Sequence, residues 1–257
     1  MTDPSTMEAA MIIRPIFCII LFFSLNSFSG QQADIVNGIV IDEEEYPSVV
    51  RISELINGSP VAGCTATFVS SSTMLTAAHC VEDKGASVRV ETGPAAGAVT
   101  KKIYLHPQYT LTGVYYDVAV VIFPEGTSPE YSTVLDRAAK VGNELTIVGY
   151  GRSKFDDLTT SGVKRKGFNV VSAVAERVSF TSKAPQGEGN GEDACSASGD
   201  SGGPMFIDDQ IIGISSTISR IGAETTGNYS NILHVKYLPF FKDTIKKYGA
   251  EIHGLAL

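Results

Sequence analysis

The chain has 257 residues, and its 20 basic and 28 acidic residues give a formal net charge of −8. An acidic chain without a long basic block has no electrostatic support for binding nucleic acid. His106, His234 and His253 have no Cys or His partner at metal-ligand spacing and are expected to be structural, and neither a metal nor a cofactor is expected.

The first 29 residues predict a secretory signal peptide. Arg14 supplies positive charge, residues 16–25 form an apolar core, and the small residues Ser27 and Ser29 suit signal peptidase. The core is too short to span a bilayer comfortably, so no stable membrane anchor is expected. Polar residues before Met11 are unusual ahead of a signal, which makes Met11 an alternative start. Export places the protein outside the cell, or in the periplasm of a Gram-negative host.

After residue 46 the sequence consists of short apolar runs broken by Gly, Pro, Asn and Ser, which is typical of an all-β domain. The predicted strands cover residues 48–52, 61–69, 74–77, 87–91, 99–105, 118–123, 145–148, 167–174, 203–207, 211–216 and 231–236. Apolar residues then recur at spacings of three and four from Val235 to Tyr248, which predicts a closing helix packed on the strands.

One serine lies between glycines in residues 199–204, Gly-Asp-Ser-Gly-Gly-Pro. A hydroxyl with such small neighbours is accessible, and it becomes a nucleophile when a base takes its proton and an acid orients that base. The candidates lie upstream: His79 in an Ala-Ala-His-Cys stretch, and Asp117 at the head of an apolar run. The chain order is therefore His, Asp, Ser.

With these three stretches the sequence resembles the chymotrypsin/trypsin-like serine endopeptidases, and weaker landmarks extend from Ile35 to about Tyr248. The resemblance implies two packed six-stranded antiparallel Greek-key β-barrels with a C-terminal α-helix, in a protease domain over residues 35–257. It also implies a secreted monomer that hydrolyses protein or peptide substrates through an acyl-enzyme. An activating protease and protein inhibitors are further expected partners.

The resemblance also implies the catalytic roles. Ser201 is the expected nucleophile, His79 its general base and acid, and Asp117 the carboxylate that orients and stabilises the charged imidazole. The backbone N–H groups of Gly199 and Ser201 are expected to bind the oxyanion.

Supporting residues follow from the same resemblance. Ser216 matches the serine that braces the triad acid, or Ser215 does if the strand register slips by one. Cys64 and Cys80 match the disulfide beside the catalytic His, which is worth about 3 kcal/mol. Cys195 is then left alone, and a buried thiol is expected rather than a reactive or intermolecular one.

Activation is expected at Ile35. Cleavage there would remove residues 30–34 as a propeptide and free an α-ammonium group, which in the resembled family pairs with the carboxylate matching Asp200. Residue 34 is Asp rather than Arg or Lys, so a tryptic enzyme is not expected to activate itself readily. The alternative is that signal peptidase or a trimming peptidase produces the N-terminus.

The primary specificity pocket is expected to involve Asp193, Ile218 and Gly227. Between Cys195 and Gly199 the chain has three residues where relatives have one, which predicts a longer loop. If the extra residues follow Cys195, Asp193 lies at the base of the pocket, and this predicts cleavage after Arg or Lys. If they precede Cys195, no carboxylate lies there. Ile218 on the pocket wall instead favours small apolar residues, an elastase-like alternative.

Two other interpretations fit part of the sequence. Residues 199–203 match the Gly-x-Ser-x-Gly elbow of α/β-hydrolases, with Asp243 and His253 following in order. That elbow needs a helix directly after the serine, and residues 202–204 are a poor helix start. A catalytically inactive, protease-like binding module is the other alternative, favoured by the longer loop and the missing second disulfide.

Two charged segments are predicted to be solvated. Residues 42–45 form an acidic run that lacks the alternating spacing of a calcium loop. Residues 164–166, Lys-Arg-Lys, are predicted to lie on an exposed loop, where they would be a self-cleavage site for a tryptic enzyme.

Overall fold

A computed structural model describes residues 35–110, 115–184, 186–187 and 189–255. The predicted signal peptide and propeptide, residues 1–34, lie outside the described residues. The strands in chain order are β1 (Ile39–Val40), β2 (Val49–Ile56), β3 (Ser59–Phe68), β4 (Thr73–Thr76), β5 (Ser87–Val90), β6 (Val99–Thr100), β7 (Lys102–Leu105), β8 (Ala119–Ile122), β9 (Glu144–Gly149), β10 (Arg165–Val170), β11 (Ala173–Val174), β12 (Arg177–Ser182), β13 (Pro204–Ile207), β14 (Gln210–Ile221) and β15 (Glu224–Asn231). One helix, α1 (Leu238–Tyr248), follows them.

The strands form two antiparallel sheets, which confirms the predicted all-β class with a C-terminal helix. The first sheet has the order β6-β5-β2-β3-β4-β8-β7, and the second has the order β1-β10-β9-β13-β14-β15-β12-β11. The sheets have seven and eight strands instead of six each, because the dipeptide strands β1, β6 and β11 extend their edges. No helix among the described residues is long and apolar enough to cross a membrane.

Alternate residues of the buried strands face different apolar clusters. One of these clusters contains residues from both sheets, so it joins them. In β8, Ala119 and Val121 point into the cluster of the first sheet, whereas Val120 points into a cluster shared by both sheets and α1. Phe206 of β13 and Phe241 of α1 belong to the same shared cluster. Each fully buried side chain of this size contributes about 1.5–3 kcal/mol. The shared cluster therefore fixes the two sheets, and the residues at their junction, against each other.

The second sheet differs from the predicted strands in two places. Strands β12 and β15 were not predicted, because their sequences, RVSFTS and ETTGNYSN, are mostly polar and show no apolar run. They pair with each other through their backbones. Residues 232–236, predicted as strand, form turns that lead into α1, and Ile232 fills the shared cluster from that turn.

The prediction for residues 164–166 is also wrong, since Lys164 and Arg165 are buried. The Lys164 ammonium donates to the backbone oxygens of Glu43 (3.0 Å) and Tyr46 (2.9 Å). Burial lowers the pKa of Lys164 to about 8, although the charges of residues 43–45 oppose that shift. The acidic run thus packs around a buried cation, and the basic trio is not an exposed cleavage site.

Candidate active site

His79 and Asp117 meet at one end of the first sheet. His79 lies in a 3₁₀ turn, Ala78–Cys80, just after β4, and Asp117 lies just before β8. Because Thr76 pairs with Ala119 across these antiparallel strands, the residues beyond them are brought together. Asp117 Oδ2 lies 2.8 Å from His79 Nδ1, and the His79 backbone N–H donates to Asp117 Oδ1 at 3.0 Å. The carboxylate is thereby fixed to both the ring and the backbone of the histidine.

Two serines of the second sheet hold Asp117 from the other side. Ser216 Oγ donates to Asp117 Oδ2 at 2.7 Å, and Ser230 Oγ donates to the Asp117 backbone oxygen at 3.3 Å. A β-bulge in β14 between Ser215 and Thr217 accounts for the choice of Ser216, since bulges redirect a side chain. Ser230 has no sequence signal, because its contact depends on the pairing of β15.

The electrostatics of the pair favour an ionised Asp117. Burial by itself raises the pKa of Asp117, but the hydrogen bond and charge of His79 lower it below its usual range. Burial by itself lowers the pKa of His79, whereas the hydrogen bond and charge of Asp117 raise it overall. The imidazole is therefore a stronger base than a free histidine.

Ser201 lies in a turn between the two sheets. Its backbone oxygen accepts a hydrogen bond from the Thr65 N–H at 2.9 Å and lies 3.6 Å from Cys80 Sγ. The serine therefore stands beside the residue that follows His79. Among the described contacts, Ser201 Oγ makes no hydrogen bond. In unliganded enzymes such bonds are often long and tighten only when substrate is bound.

The glycine after the serine is required for this turn. Gly202 has φ +79°, and a Cβ there would overlap Thr76 Oγ1 and the Thr65 backbone oxygen. Replacement of Gly202 by Ala is expected to lower the free energy of unfolding by more than about 3 kcal/mol, measured by urea denaturation. Gly126→Ala is the control, since Gly126 has φ +76° and nothing within 4 Å. Equal losses in both variants would show that the overlap is relieved and the prediction is wrong.

Thr65 holds the backbone that leads into Ser201. Thr65 Oγ1 donates to the Gly199 oxygen at 2.8 Å and accepts from the Tyr150 N–H at 3.1 Å. Gly199 has φ +103°, and a Cβ there would lie 2.8 Å from Gly151 Cα. Within the described part of the chain, the N–H groups of Gly199 and Ser201 have no acceptor. Thr65 thus orients this backbone, a role for which the sequence has no signal.

Asp200 is buried with 2% of its surface exposed. Its Oδ1 accepts the Gly151 N–H and its Oδ2 accepts the Ala197 N–H, both at 2.8 Å. Burial raises the pKa of Asp200 to about 7, although these two hydrogen bonds and the charge of Arg165 oppose the rise. The carboxylate is thus engaged by the backbone and turned away from solvent.

Ile35 is fully buried in the apolar cluster of the second sheet. The next residue, Val36, forms an antiparallel bridge with Cys195, with N–H to oxygen distances of 2.9 and 3.1 Å. The N-terminal segment is therefore docked on the chain that leads to Ser201. In the continuous sequence the nitrogen of Ile35 is an amide rather than an ammonium group.

Of the three residues expected in the specificity pocket, Ile218 and Gly227 lie opposite each other, whereas Asp193 lies elsewhere at the surface. Ile218, 39% exposed, pairs with Gly227 across the β14–β15 ladder. Asp193 is exposed, and its carboxylate accepts the Lys183 N–H at 2.9 Å. A carboxylate at the base of a pocket is expected to be buried, so this position differs from the predicted one. Cys195, not Asp193, is the buried residue beside the N-terminal segment.

Cys64 and Cys80 form a disulfide with Cα atoms 6.0 Å apart, which confirms the predicted bridge. It joins β3 to the 3₁₀ turn that holds His79. The two sulfurs and the His79 ring lie within 4.8 Å of one another, a grouping that resembles a metal site. Because both sulfurs are bonded to each other, they do not supply the thiolates that such a site requires.

A fold of two β-sheets that holds a braced His–Asp pair next to a glycine-flanked serine is the architecture of a serine endopeptidase. Comparison with known families agrees. The family model described as Trypsin matches residues 35–240, and the chain belongs to the trypsin family. It is therefore a hydrolase that acts on peptide bonds.

Several trypsins from other organisms are similar to the chain. Trypsin 5G1 of Aedes aegypti is 26% identical over 203 residues, which cover 70% of this chain and 73% of that protein. Trypsin eta of Drosophila erecta is 24% identical over 253 residues, covering 88% of this chain and 96% of its own length. A trypsin of Saccharopolyspora erythraea is 26% identical over 201 residues, which cover 71% of this chain and 86% of that protein.

Proposed function

We propose that this protein is a secreted endopeptidase that cleaves peptide bonds through a triad of His79, Asp117 and Ser201. The observation that carries the proposal is the His79–Asp117 bond of 2.8 Å, braced by Ser216 at 2.7 Å. A buried carboxylate held by three donors fixes the histidine ring in one tautomer and orientation. His79 then takes the Ser201 proton during attack and gives it to the departing amine.

The developing oxyanion is bound by the N–H groups of Gly199 and Ser201. Their lack of acceptors among the described residues supports this role, because a preorganised donor has no existing bond to break. Thr65 holds the Gly199 oxygen, and so turns the peptide group that joins Gly199 to Asp200. An acyl-enzyme on Ser201 is then hydrolysed by water with His79 acting again as the base.

Secretion and processing belong to the same proposal. The disulfide between Cys64 and Cys80 is of the kind that persists in oxidising compartments, which agrees with the signal-like segment at residues 1–29. The burial of Ile35 supports a mature chain that begins there after residues 30–34 have been removed. Protein or peptide substrates follow from the reaction.

We propose a preference for a small uncharged side chain before the cleaved bond, rather than the predicted Arg or Lys. An Arg or Lys pocket needs a buried carboxylate, whereas Asp193 is exposed and already accepts a backbone N–H. Asp200 is buried, but both of its oxygens are engaged. Ile218 lies opposite Gly227 on the expected wall of the specificity pocket, where its side chain reduces the space for a substrate side chain.

Hydrolysis of chromogenic peptides ending in Ala, Val, Leu, Phe, Arg, Lys or Asp tests both proposals, with protein that begins at Ile35. The Ala and Val peptides are expected to exceed the Arg and Lys peptides at least about 10-fold in kcat/KM. Ile218→Gly is expected to raise kcat/KM for the larger side chains about 10-fold, because the wall is opened.

Asp193→Asn is the matched control, and it is expected to leave the order of substrates unchanged. Preference for Arg and Lys that disappears in Asp193→Asn would overturn the proposed specificity and restore the sequence prediction. No hydrolysis of any peptide would favour the inactive binding module. Hydrolysis of esters but not of peptides would favour an esterase.

A further inference from the structure

A small basic cavity lies beside the candidate site. Its volume is about 180 Å³, and the residues that line it include Gly199, Cys64 of the disulfide, Arg51 and Arg152. Among the described residues that line it, none is acidic. In a chain with a net charge of −8, two arginines at one cavity without a facing acid indicate a site for an anion.

The pairing of β2 with β3 directs Arg51 into this cavity. Arg51 lies opposite Thr65, and directly opposed residues carry their side chains on the same face of a sheet. Thr65 Oγ1 donates to the Gly199 oxygen at 2.8 Å, so that face is turned toward Gly199. A Cβ on Gly63 would lie 3.7 Å from Arg51 Nη2, and a Cβ on Gly162 would lie 3.2 Å from Arg51 Nη1. The guanidinium therefore lies between two positions that carry no side chain.

The hydrogen-bond donors of Arg51 remain available for a ligand. Its backbone N–H donates to Thr92 Oγ1 at 2.9 Å, whereas its guanidinium makes no hydrogen bond or ion pair among the described contacts. Burial raises the pKa of Glu91, but the hydrogen bond and charge of Arg89, with the charge of Arg51, lower it overall. Glu91 is ion-paired with Arg89 at 2.8 Å. The direct partner of this nearby acid is thus Arg89 and not Arg51.

Arg152 supplies the second cation. Its backbone N–H donates to the Ser198 oxygen at 2.9 Å, which ties Arg152 to the segment that leads to Gly199. Its Nη1 donates to the Phe155 backbone oxygen at 3.2 Å, a neutral acceptor. Two guanidinium groups at one cavity repel each other until an anion binds, and a carboxylate matches the planar fork of arginine. The chemistry of the cavity therefore favours a carboxylate.

The cavity lies on the side of Ser201 opposite the expected specificity pocket. The Thr65 N–H donates to the Ser201 oxygen at 2.9 Å, and the Gly202 N–H donates to the Ser215 oxygen at 2.8 Å, so β3 and β14 flank this turn. The expected pocket wall follows on β14 at Ile218, whereas the cavity adjoins β3 through the disulfide. A substrate whose side chain before the cleaved bond lies along β14 therefore carries the residues after that bond toward the cavity.

We propose that this cavity binds a carboxylate of the substrate segment that follows the cleaved bond, and that Arg51 and Arg152 hold it. The volume is below the roughly 300 Å³ at which drug-sized ligand sites begin, so it fits a single side chain. Asp or Glu as the first or second residue after the bond supplies the carboxylate, and so does a substrate that ends there. The proposal rests on the proposed function, because the cleaved bond defines where this segment lies.

The test uses internally quenched peptides that share one sequence before the cleaved bond and have an amidated C-terminus. Glu, Asp, Gln and Asn are compared at the first and at the second residue after the bond, with native protein that begins at Ile35. At one of these positions the acidic peptides are expected to exceed their amides at least about 10-fold in kcat/KM. A second set that ends in a free carboxylate at the second residue distinguishes the chain end from a side chain.

Variants assign the preference to the two arginines. Arg51→Gln is expected to reduce the ratio of acidic to amide peptides at least about 5-fold, and Arg152→Gln is expected to reduce it in the same direction. Arg51→Lys keeps the charge without the planar fork, so it is expected to retain part of the ratio. Arg137→Gln is the matched control, since Arg137 is exposed, contacts Asp208 at the surface and removes the same charge. It is expected to leave the ratio unchanged.

Two readouts separate recognition from a structural role. Chromogenic peptides release an aromatic amine and have no residue after the bond, so Arg51→Gln is expected to keep kcat/KM on them within about 2-fold. An increase in ionic strength from about 0.1 to 1 M shortens the Debye length from about 10 to 3 Å. The ratio of acidic to amide peptides is therefore expected to fall with salt in the native protein.

Each outcome decides the proposal. Preference for amidated acidic peptides assigns the cavity to a side chain, and preference only for the free carboxylate assigns it to the chain end. Equal cleavage of acidic and amide peptides in both sets would overturn the proposal, as would a preference that persists in Arg51→Gln or an equal loss on chromogenic peptides. In these cases hydrolysis by the native protein leaves the proposed function intact. Absence of hydrolysis of every peptide would overturn both.

Discussion

Replacement of Ser201 by Ala is expected to lower kcat about 10⁶-fold on the peptide that the native enzyme cleaves best. The loss is large because no other group forms the acyl-enzyme, so the histidine and its carboxylate have no proton to transfer. A residual acceleration of about 10³–10⁴ over the uncatalysed reaction is expected from the proposed oxyanion donors, the backbone N–H groups of Gly199 and Ser201. Steady-state kinetics at saturating substrate measure the change.

Stability controls accompany this variant. Since Ser201 Oγ makes no hydrogen bond among the described contacts, Ser201→Ala is expected to change the free energy of unfolding by less than about 0.5 kcal/mol. Ser172 is an exposed serine between β10 and β11 whose Oγ donates to the Ser179 backbone oxygen at 3.1 Å, and Ser172→Ala is expected to leave kcat unchanged. A decrease in kcat of less than about 10-fold for Ser201→Ala would refute the role of Ser201 as nucleophile.

Replacement of Asp117 by Asn is expected to lower kcat about 10⁴-fold. Asp117 accepts from the His79 ring, the His79 N–H and Ser216 Oγ, whereas an amide has only one oxygen to offer. The ring is then held in the wrong tautomer for taking the serine proton. Ser216→Ala is the matched control, because it removes one of these donors and leaves the charge; its expected loss is about 10-fold.

The pH dependence of the same pair gives a second readout. His79 acts as a base only when neutral, so activity rises with pH through its pKa. The hydrogen bond and charge of Asp117 raise that pKa, and the rising limb of the native chain from Ile35 is expected above the usual value of about 6.5. In Asp117→Asn the limb moves to lower pH. An unchanged limb in the variant would show that His79 is not the titrating base.

Local sequence patterns were sufficient for much of the fold. Apolar runs such as residues 118–123 are strands buried on both sides, and the spacing from Val235 to Tyr248 marks α1. By contrast, Ser179 of β12 and Asn228 of β15 contribute a side-chain hydrogen bond of 2.9 Å across paired polar strands. Their pairing depends on partners about 50 residues away, which no local pattern contains.

The surroundings of the candidate site were predictable only in part. Local residue types were sufficient to single out three candidate residues, a base, an acid and a nucleophile: His79, Asp117 and Ser201. Arg165 and Lys164 were placed on the surface because charged residues are usually exposed, whereas tertiary contacts bury both.

The segment before the serine illustrates a different limit. The sequence left open whether the extra residues lie before or after Cys195, and only the second placement puts Asp193 at the base of the pocket. In the structure, backbone pairing with Val36 decides where Cys195 lies, and Asp193 remains outside. Hydrogen bonds between main-chain atoms do not depend on side-chain identity. The sequence therefore did not indicate that Val36 pairs with Cys195.

The buried thiol of Cys195 gives the protein a built-in probe. Cys195 is the free cysteine of the described residues, and burial together with the charges of Asp200 and Asp193 raises its pKa to about 12. A thiol reagent therefore reaches it only when the bridge to Val36 separates. The rate of labelling then measures how often the segment that leads to Ser201 opens, in the native protein and without an introduced reporter. Mass spectrometry of the labelled fraction of Cys195 then gives the frequency of this opening.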